Sequence, residues 1–204
     1  MNFIVTKFGG SSLADSIHFK KVKNIIESNC DRRYVIPSAP GKRFSKDFKV
    51  TDLLYLCHAH VNSSIPLDDV FKLICERYHS IVNELDLSLD LDYYLNIIKN
   101  DIENGASADY TASRGEYLNG IILANYLGID FVDAKDVIKF NKYGTLNLEE
   151  TYKLLQDKLS NHERAVIPGF YGSDENGEIV TFSRGGSDVT GALVAASINA
   201  KLYE

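Results

Sequence analysis

The sequence predicts an α/β fold with a mainly parallel sheet, and three observations carry that prediction. Short apolar runs at Phe3-Ile4-Val5-Thr6, Arg33-Tyr34-Val35-Ile36-Pro37 and Ala165-Val166-Ile167-Pro168 read as strands. Segments between them place apolar residues at helical spacing. The links joining these pieces are short and carry glycine. A strand, a helix and a second strand connected in this way form a βαβ unit, whose two strands run parallel.

Each element can be justified in order. Phe3 to Thr6 is a strand feeding a tight loop at Gly9-Gly10. Asp15 to Ile26 carries Ile17, Val22, Ile25 and Ile26 in a helical pattern, and Arg33 to Pro37 is a second strand stopped by Ser38-Ala39-Pro40-Gly41. The texture changes from Val50 to Glu103, where Leu53, Leu54 and Cys57, then Val70, Phe71 and Ile74, then Tyr94, Leu95 and Ile98 repeat at helical intervals. Pro66 and Leu87-Ser88-Leu89-Asp90 break this stretch into three helices. A fourth runs from Ala108 to Leu127 and is capped by Gly128. Together they predict a helical lobe at about 50–128, inserted between strands of the sheet. Ile129 to Val132 and Val137 to Phe140 read as short strands, Leu148 to Leu159 as an amphipathic helix, and Ala165 to Pro168 as a buried strand. Asp174-Glu175-Asn176-Gly177 signals a hairpin with Ile179 to Phe182 as its return strand. Val189 to Ile198 is an alanine-rich helix, and Lys201 to Glu204 opens a further strand.

Composition bounds the function. The chain has 204 residues, 45% hydrophobic and 25% charged, with a formal charge of −6. A chain of this length buries roughly 70% of its unfolded surface and needs no disulfide or metal staple. Its mild acidity argues against binding nucleic acid or a membrane surface in bulk, since lysine and arginine are not in excess. Cys30, Cys57 and Cys75 are widely spaced and odd in number, which fits neither a zinc site nor a disulfide framework and points to a reducing compartment. No apolar run approaches the ~18 residues of a membrane span, and no signal sequence precedes Lys7. The expectation is a cytoplasmic protein. His58 and His60 lie two apart on a predicted helix, on different faces, so no metal ligand set is expected there.

The chemistry resides in three glycine loops: Lys7-Phe8-Gly9-Gly10-Ser11-Ser12, Ile167-Pro168-Gly169-Phe170-Tyr171-Gly172 and Ser183-Arg184-Gly185-Gly186-Ser187-Asp188. The first and third lie between a predicted strand and a predicted helix. There a glycine pair lets backbone N–H groups approach an anion, and the helix N-terminus adds partial positive charge. Ser11, Ser12 and Ser187 add hydroxyl donors. Lys7 would supply a point charge to a transferring phosphoryl group, and Asp188 could orient cations around it. Read in isolation, each glycine pair is a turn and Asp188 is an N-cap for the Val189 helix. The Gly-x-x-x-x-Gly-Lys-Ser/Thr and Gly-x-Gly-x-x-Gly nucleotide motifs and the protein-kinase signatures are missing.

Taken together, Lys7-Phe8-Gly9-Gly10-Ser11-Ser12, Ser113-Arg114-Gly115-Glu116, the Val166-to-Gly172 loop and Phe182-Ser183-Arg184-Gly185-Gly186-Ser187-Asp188 resemble the aspartokinases of the amino-acid kinase superfamily. Their order and separations match from residue 3 to the end of the chain. The resemblance implies a three-layer α/β/α sandwich of the carbamate kinase-like type. It implies transfer of the ATP γ-phosphate, as Mg-ATP with Mg2+, to the side-chain carboxylate of L-aspartate, giving 4-phospho-L-aspartate. Carried over by position, Lys7 and Asp188 are catalytic. Lys7, Gly9, Gly10, Ser11, Gly185 and Gly186 hold the phosphates. Thr51, Glu116, Arg184 and Ser187 bind the amino acid. Arg184 suits a carboxylate held by two donors, Glu116 an ammonium, and Thr51 a hydroxyl hydrogen bond. Without the resemblance, Glu116 reads as a solvated helix-face carboxylate, Thr51 as an N-cap for the Asp52–Ala59 helix, and Arg184 as half of a surface ion pair.

In that family the strand beginning at Lys201 continues into segments that hold adenine and ribose, followed by regulatory ACT domains. The resemblance therefore implies an incomplete catalytic domain over residues 1–204, weakly active by itself, from a protein expected to be a homodimer. A glutamate-type amino-acid kinase and a non-catalytic amino-acid-binding half-site stand as alternatives.

Overall fold

Alternate residues of a strand face opposite sides of its sheet, and that alternation divides the core in two. The computed structural model describes residues 3–204. Strands β1 (Ile4–Phe8) and β2 (Arg32–Pro37) flank helix α1 (Ser16–Glu27) and pair in parallel. With β3 (Asp130–Phe131), β4 (Ala165–Val166) and β7 (Leu202–Tyr203) they form one sheet in the order β3-β4-β2-β1-β7, every pairing parallel. Phe8, Val35 and Val166 join one hydrophobic cluster, whereas Val5, Tyr34, Ile36 and Ala165 join another on the opposite face. Helices therefore cover both sides, and the three-layer α/β/α arrangement follows from the strand pattern.

The first cluster is built mainly by α1 and four consecutive helices: α2 (Val50–Asn62), α3 (Asp68–Glu84), α4 (Leu91–Glu103) and α5 (Ala108–Leu127). Pro66 and the 85–90 segment separate them where the sequence predicts. Asp90 and Ser107 cap α4 and α5 by accepting the N–H groups of Tyr93 and Tyr110 at 3.1 and 3.0 Å. Helix α5 is buried on most sides, because it packs on the sheet, on α2 and on α4 at once. The second cluster is closed by α7 (Leu148–Leu159) and α8 (Gly186–Ser197), with Leu155, Leu159, Leu193 and Val194 facing the strands.

A separate hairpin, β5 (Tyr171–Ser173) with β6 (Ile179–Thr181), turns at Asp174–Gly177 as predicted. Asp109 in the first turn of α5 anchors it, accepting from the Thr181 N–H at 3.1 Å and its hydroxyl at 2.8 Å. Two expectations are corrected. Val137 to Phe140 is not a strand: residues Ala134–Val137 form a single helical turn, α6, capped by Asp133, and Lys139 and Phe140 make only isolated bridges. The Asp133 carboxylate on the Lys135 N–H competes with the apolar pattern and wins. Helix α8 starts at Gly186 rather than Val189, and its cap is Gly185, so Asp188 lies inside the first turn.

Gly128 ends α5 with φ +64, and no atom lies within 4 Å of the position a Cβ would take there. Gly128→Ala therefore costs only the left-handed backbone penalty, about 1 kcal/mol, read as a lower midpoint in equilibrium urea unfolding with an unchanged slope.

Candidate active site

The C-terminal ends of parallel strands all emerge at one edge of a sheet, and there the chain gathers its loops. β1 delivers Gly9, and Gly10–Leu13 then form a short 3-10 turn. β2 delivers Ser38 to Gly41, and β4 leads through Pro168 to Gly169. The turn after β1 and the loop after β2 are pressed together: the Gly41 N–H donates to the Gly10 carbonyl at 2.8 Å. A Cβ on Gly10 would come within 2.7 Å of the Ala39 carbonyl oxygen, and one on Gly41 within 2.7 Å of the Gly10 carbonyl carbon. Glycine is required at both positions by close approach of backbone to backbone.

Between these walls lies a cleft of about 460 Å³, lined by Gly10, Ser11, Ser38, Ala39, Pro40, Gly41, Lys42, Lys49, Thr51 and Glu116. A larger and more apolar hollow of about 580 Å³ lies at the opposite sheet edge, against Phe3, Tyr34, Leu159 and Ile198. None of the predicted site residues reaches it, so volume alone does not locate the chemistry.

Glu116 is the most perturbed group in the cleft. It projects from the middle of α5 and is only 6% exposed, which overturns its reading as a solvated carboxylate. Its Oε1 accepts the Ala39 N–H at 3.0 Å, while Oε2 is buried with no partner among the described residues. Burial pushes its pKa from 4.5 to about 7, against the opposing pull of the Ala39 N–H and the Lys7 charge. A buried carboxylate with an open oxygen is suited to receive a cation.

Lys7 sits within β1, one residue before its end, and its ammonium pairs with Asp188 at 2.9 Å. The pair joins the first and third glycine loops, which lie 181 residues apart in the chain. The Asp188 side chain is 64% exposed and that of Lys7 19%, so the bond is weakly held and the lysine can exchange it for an anion. Gly185, with φ +58, turns the chain into α8. Gly186 packs on Phe170 and Phe182, where a Cβ would meet the Phe170 Cα and the Phe182 Cβ at 2.8 Å. Ser187 is buried against Gly169, whose Cβ would stand 2.6 Å from the serine Cα. The second glycine loop is thereby locked beneath the start of α8. The first N–H groups of α8 have no acceptor within the helix, as in any helix N-terminus.

Among the other predicted residues, Thr51 lines the cleft from the first turn of α2 and is not that helix's cap, which is Lys49. Gly10 and Ser11 line it, and Gly9 precedes them as the cap of the turn. Arg184 is exposed and lies outside the cleft lining. Among the described residues it enters no ion pair, contrary to its reading as half of a surface pair. Local pattern marks Ser38 to Gly41 only as a strand stop and gives no role to Lys42 or Lys49. The overlooked signal was a proline-glycine pair at the C-terminal end of a parallel strand, the same placement that marked the first loop.

The amino acid kinase family model matches residues 2–204. The chain belongs to the amino acid kinase family. Within that family it is 35% identical to aspartokinase 3 of Bacillus subtilis strain 168, aligned over 98% of this chain and 47% of that protein. It is 60% identical to the crystal structure of Clostridium acetobutylicum aspartate kinase, with a TM-score of 0.97, over 100% of this chain and 47% of that one. Escherichia coli aspartokinase III, solved with aspartate and ADP, is 22% identical with a TM-score of 0.82 and shares the amino acid kinase fold. The chain spans about half the length of these relatives. No helix among the described residues is long and apolar enough to cross a membrane, and no cluster of three metal-ligating side chains occurs among them.

Two measurements probe this geometry. Gly10→Ala must push apart two backbone segments, because the atoms its Cβ meets belong to Ala39 and Gly41 rather than to a flexible side chain. It is expected to lower stability by about 1–3 kcal/mol, which a calorimetric scan of a chain this long reads as a midpoint about 2–12 °C lower. Glu116 has a raised folded pKa, so its contribution to stability is full below 4.5 and is lost as pH rises through about 7. Unfolding free energies for Glu116→Gln across that window should therefore be flatter with pH than those of the native chain.

Proposed function

We propose that this chain supplies the aspartate-binding and phosphate-loop portion of an ATP-dependent aspartate kinase. The observation that carries the reading is the pairing of Lys7 with Asp188 across the two glycine loops, beside a cleft whose floor is the half-satisfied Glu116. The resemblance to aspartate kinases along the whole chain supports the same assignment.

In this reading the amino acid enters the cleft of about 460 Å³ with its α-ammonium on Glu116 Oε2, the buried oxygen that lacks a partner among the described residues. Thr51 adds a hydroxyl hydrogen bond. Arg184 turns in from its exposed position to hold a carboxylate with two donors, its fork geometry matching two oxygens. The side-chain carboxylate then faces the glycine loops. An oxygen of that carboxylate attacks the terminal phosphorus of ATP, the bond to the bridging oxygen breaks, and ADP leaves with the electron pair. No covalent enzyme intermediate is needed, and positioning plus charge neutralisation carry the barrier reduction. Lys7 releases Asp188 and neutralises the transferring phosphoryl group, while N–H groups of Gly10, Ser11, Gly186 and Ser187 surround its oxygens. With no three-ligand cluster among the described residues, a divalent ion fits here mainly on the nucleotide's own phosphates. Asp188 can meet it from the protein side.

The test is a trapping assay with Mg-ATP, L-aspartate and hydroxylamine, joined to calorimetric titration of aspartate. Lys7→Ala should abolish aspartyl hydroxamate formation. At about pH 8.5, where Glu116 stays ionised, it should leave aspartate affinity within about threefold. Arg184→Ala should weaken aspartate binding at least about tenfold. Because Glu116 must be ionised to hold an ammonium, affinity should fall as pH drops through about 7. Equal binding of L-glutamate would replace aspartate as the substrate. Aspartate binding without any trapped product, even after a C-terminal partner chain is added, would mark an amino-acid sensor instead.

A further inference from the structure

Helix α3 contributes nothing to the cleft lining, yet its buried Arg77 reaches both walls. The residue is 4% exposed. Its Nη1 donates to the Gly41 carbonyl at 2.8 Å and lies 3.5 Å from the Ala14 carbonyl, at the end of the turn that follows Gly9. Its Nη2 donates to Asp47 at 2.6 Å and to the Phe48 carbonyl at 3.3 Å. One planar guanidinium therefore ties the turn after β1, the loop after β2, and the far end of that loop to a single point.

Asp47 completes the junction. It is 7% exposed and accepts from Arg43 as well as Arg77: the Arg43 N–H at 2.9 Å, Nε at 2.8 Å and Nη2 at 3.0 Å. The hydrogen bonds from Arg43, with the charge of Arg77, hold its carboxyl well below the usual range, so it stays ionised at any working pH. The neighbouring Tyr78 donates to the Gly115 carbonyl at 2.7 Å, one residue before Glu116. Two consecutive α3 side chains thus grip three backbone segments around the cleft.

We propose that Arg77, with Asp47, is a positioning residue that sets the separation of the cleft walls and through it the affinity for the amino acid. This deepens the aspartate reading and rests on it. Neither residue lines the cleft. A network of this kind is costly to bury unless every arm is matched, and Nε of Arg77 is left without a partner among the described residues. Burying such a cation in α3, instead of an apolar side chain, is explained by three carbonyls that no apolar group could hold.

The experiment uses the 204-residue chain with Arg77→Lys and Asp47→Asn. Lysine keeps a charge for Asp47 but lacks the fork that spans Gly41, Ala14 and Phe48. Arg77→Lys should unfold cooperatively. Its amides at residues 9–14 and 38–49 should exchange at least about tenfold faster, with β2 and α5 unchanged. Its aspartate dissociation constant in calorimetric titration should rise at least about tenfold. Asp47→Asn, which keeps both arginines, should show the same pattern in weaker form and guards against a variant that fails to fold. Unchanged exchange in the two loops, or acceleration spread evenly over the chain, overturns the proposal whatever the ligand. Native-like aspartate affinity in both variants overturns it too. If the unsubstituted chain ignores aspartate, the substrate reading fails and the link to amino-acid affinity falls with it. The exchange data then still decide whether Arg77 braces the walls.

Discussion

The contact between the backbones of Gly10 and Gly41 is the constraint around which the site is arranged. Parallel pairing of β1 with β2 brings two strand ends side by side, but it does not make their loops touch. Contact requires that neither residue carry a Cβ, since either would overlap main-chain atoms of the other loop. Once the loops meet, the Ala39 N–H is held over α5 and finds the Glu116 carboxylate, and Ser11 and Thr51 line the same cleft. The cleft is thus a gap between two pieces of main chain, and side chains only furnish it.

That gap is energetically expensive. Among the described residues, Glu116 is buried with one oxygen unmatched, and Asn119, one turn further along α5, is fully buried with its carbonyl oxygen unmatched while its amide holds the Ser38 carbonyl at 2.6 Å. Each unmatched buried group costs about 1–3 kcal/mol. The two apolar clusters on either face of the sheet offset these costs, and they do so without entering the site. Such a division, with apolar packing remote from an unsatisfied polar centre, is what a binding site needs if its groups are to be completed by a ligand rather than by the protein.

How much of this was legible in the sequence depends on the range of the interactions involved. The four helices from Val50 to Leu127 were readable because their breaks are local: Pro66 removes a donor, and Gly128 adopts a conformation other residues resist. The glycine loops were readable for the same reason. The 134–140 segment departs from the expected strand because a capping carboxylate at Asp133 and an apolar run at Val137 make opposite local demands. The arginine at position 77 was invisible for another reason. In sequence it is one charge on a helix with polar neighbours, and nothing near it indicates that its partners lie 30, 36 and 63 residues away. Glu116 was legible through its motif, yet its burial was not, because burial of α5 comes from elements on every side of it.

Helix α5 also acts as a measuring rod. Asp109 at its first turn holds the hairpin, and Glu116, seven residues later, faces the cleft, so the two are separated by about 10 Å of helical rise. Gly120, a further turn along, lies against Phe131 and Pro168, where a Cβ would come within 3.0 and 3.3 Å. All three stations are fixed to different parts of the chain. Removing a single residue between them would rotate everything beyond it by about 100° and draw it back about 1.5 Å. The length of this helix is therefore set by its attachments at several points, whereas the turn at Lys142–Gly144, exposed to solvent, carries no such constraint among the described residues.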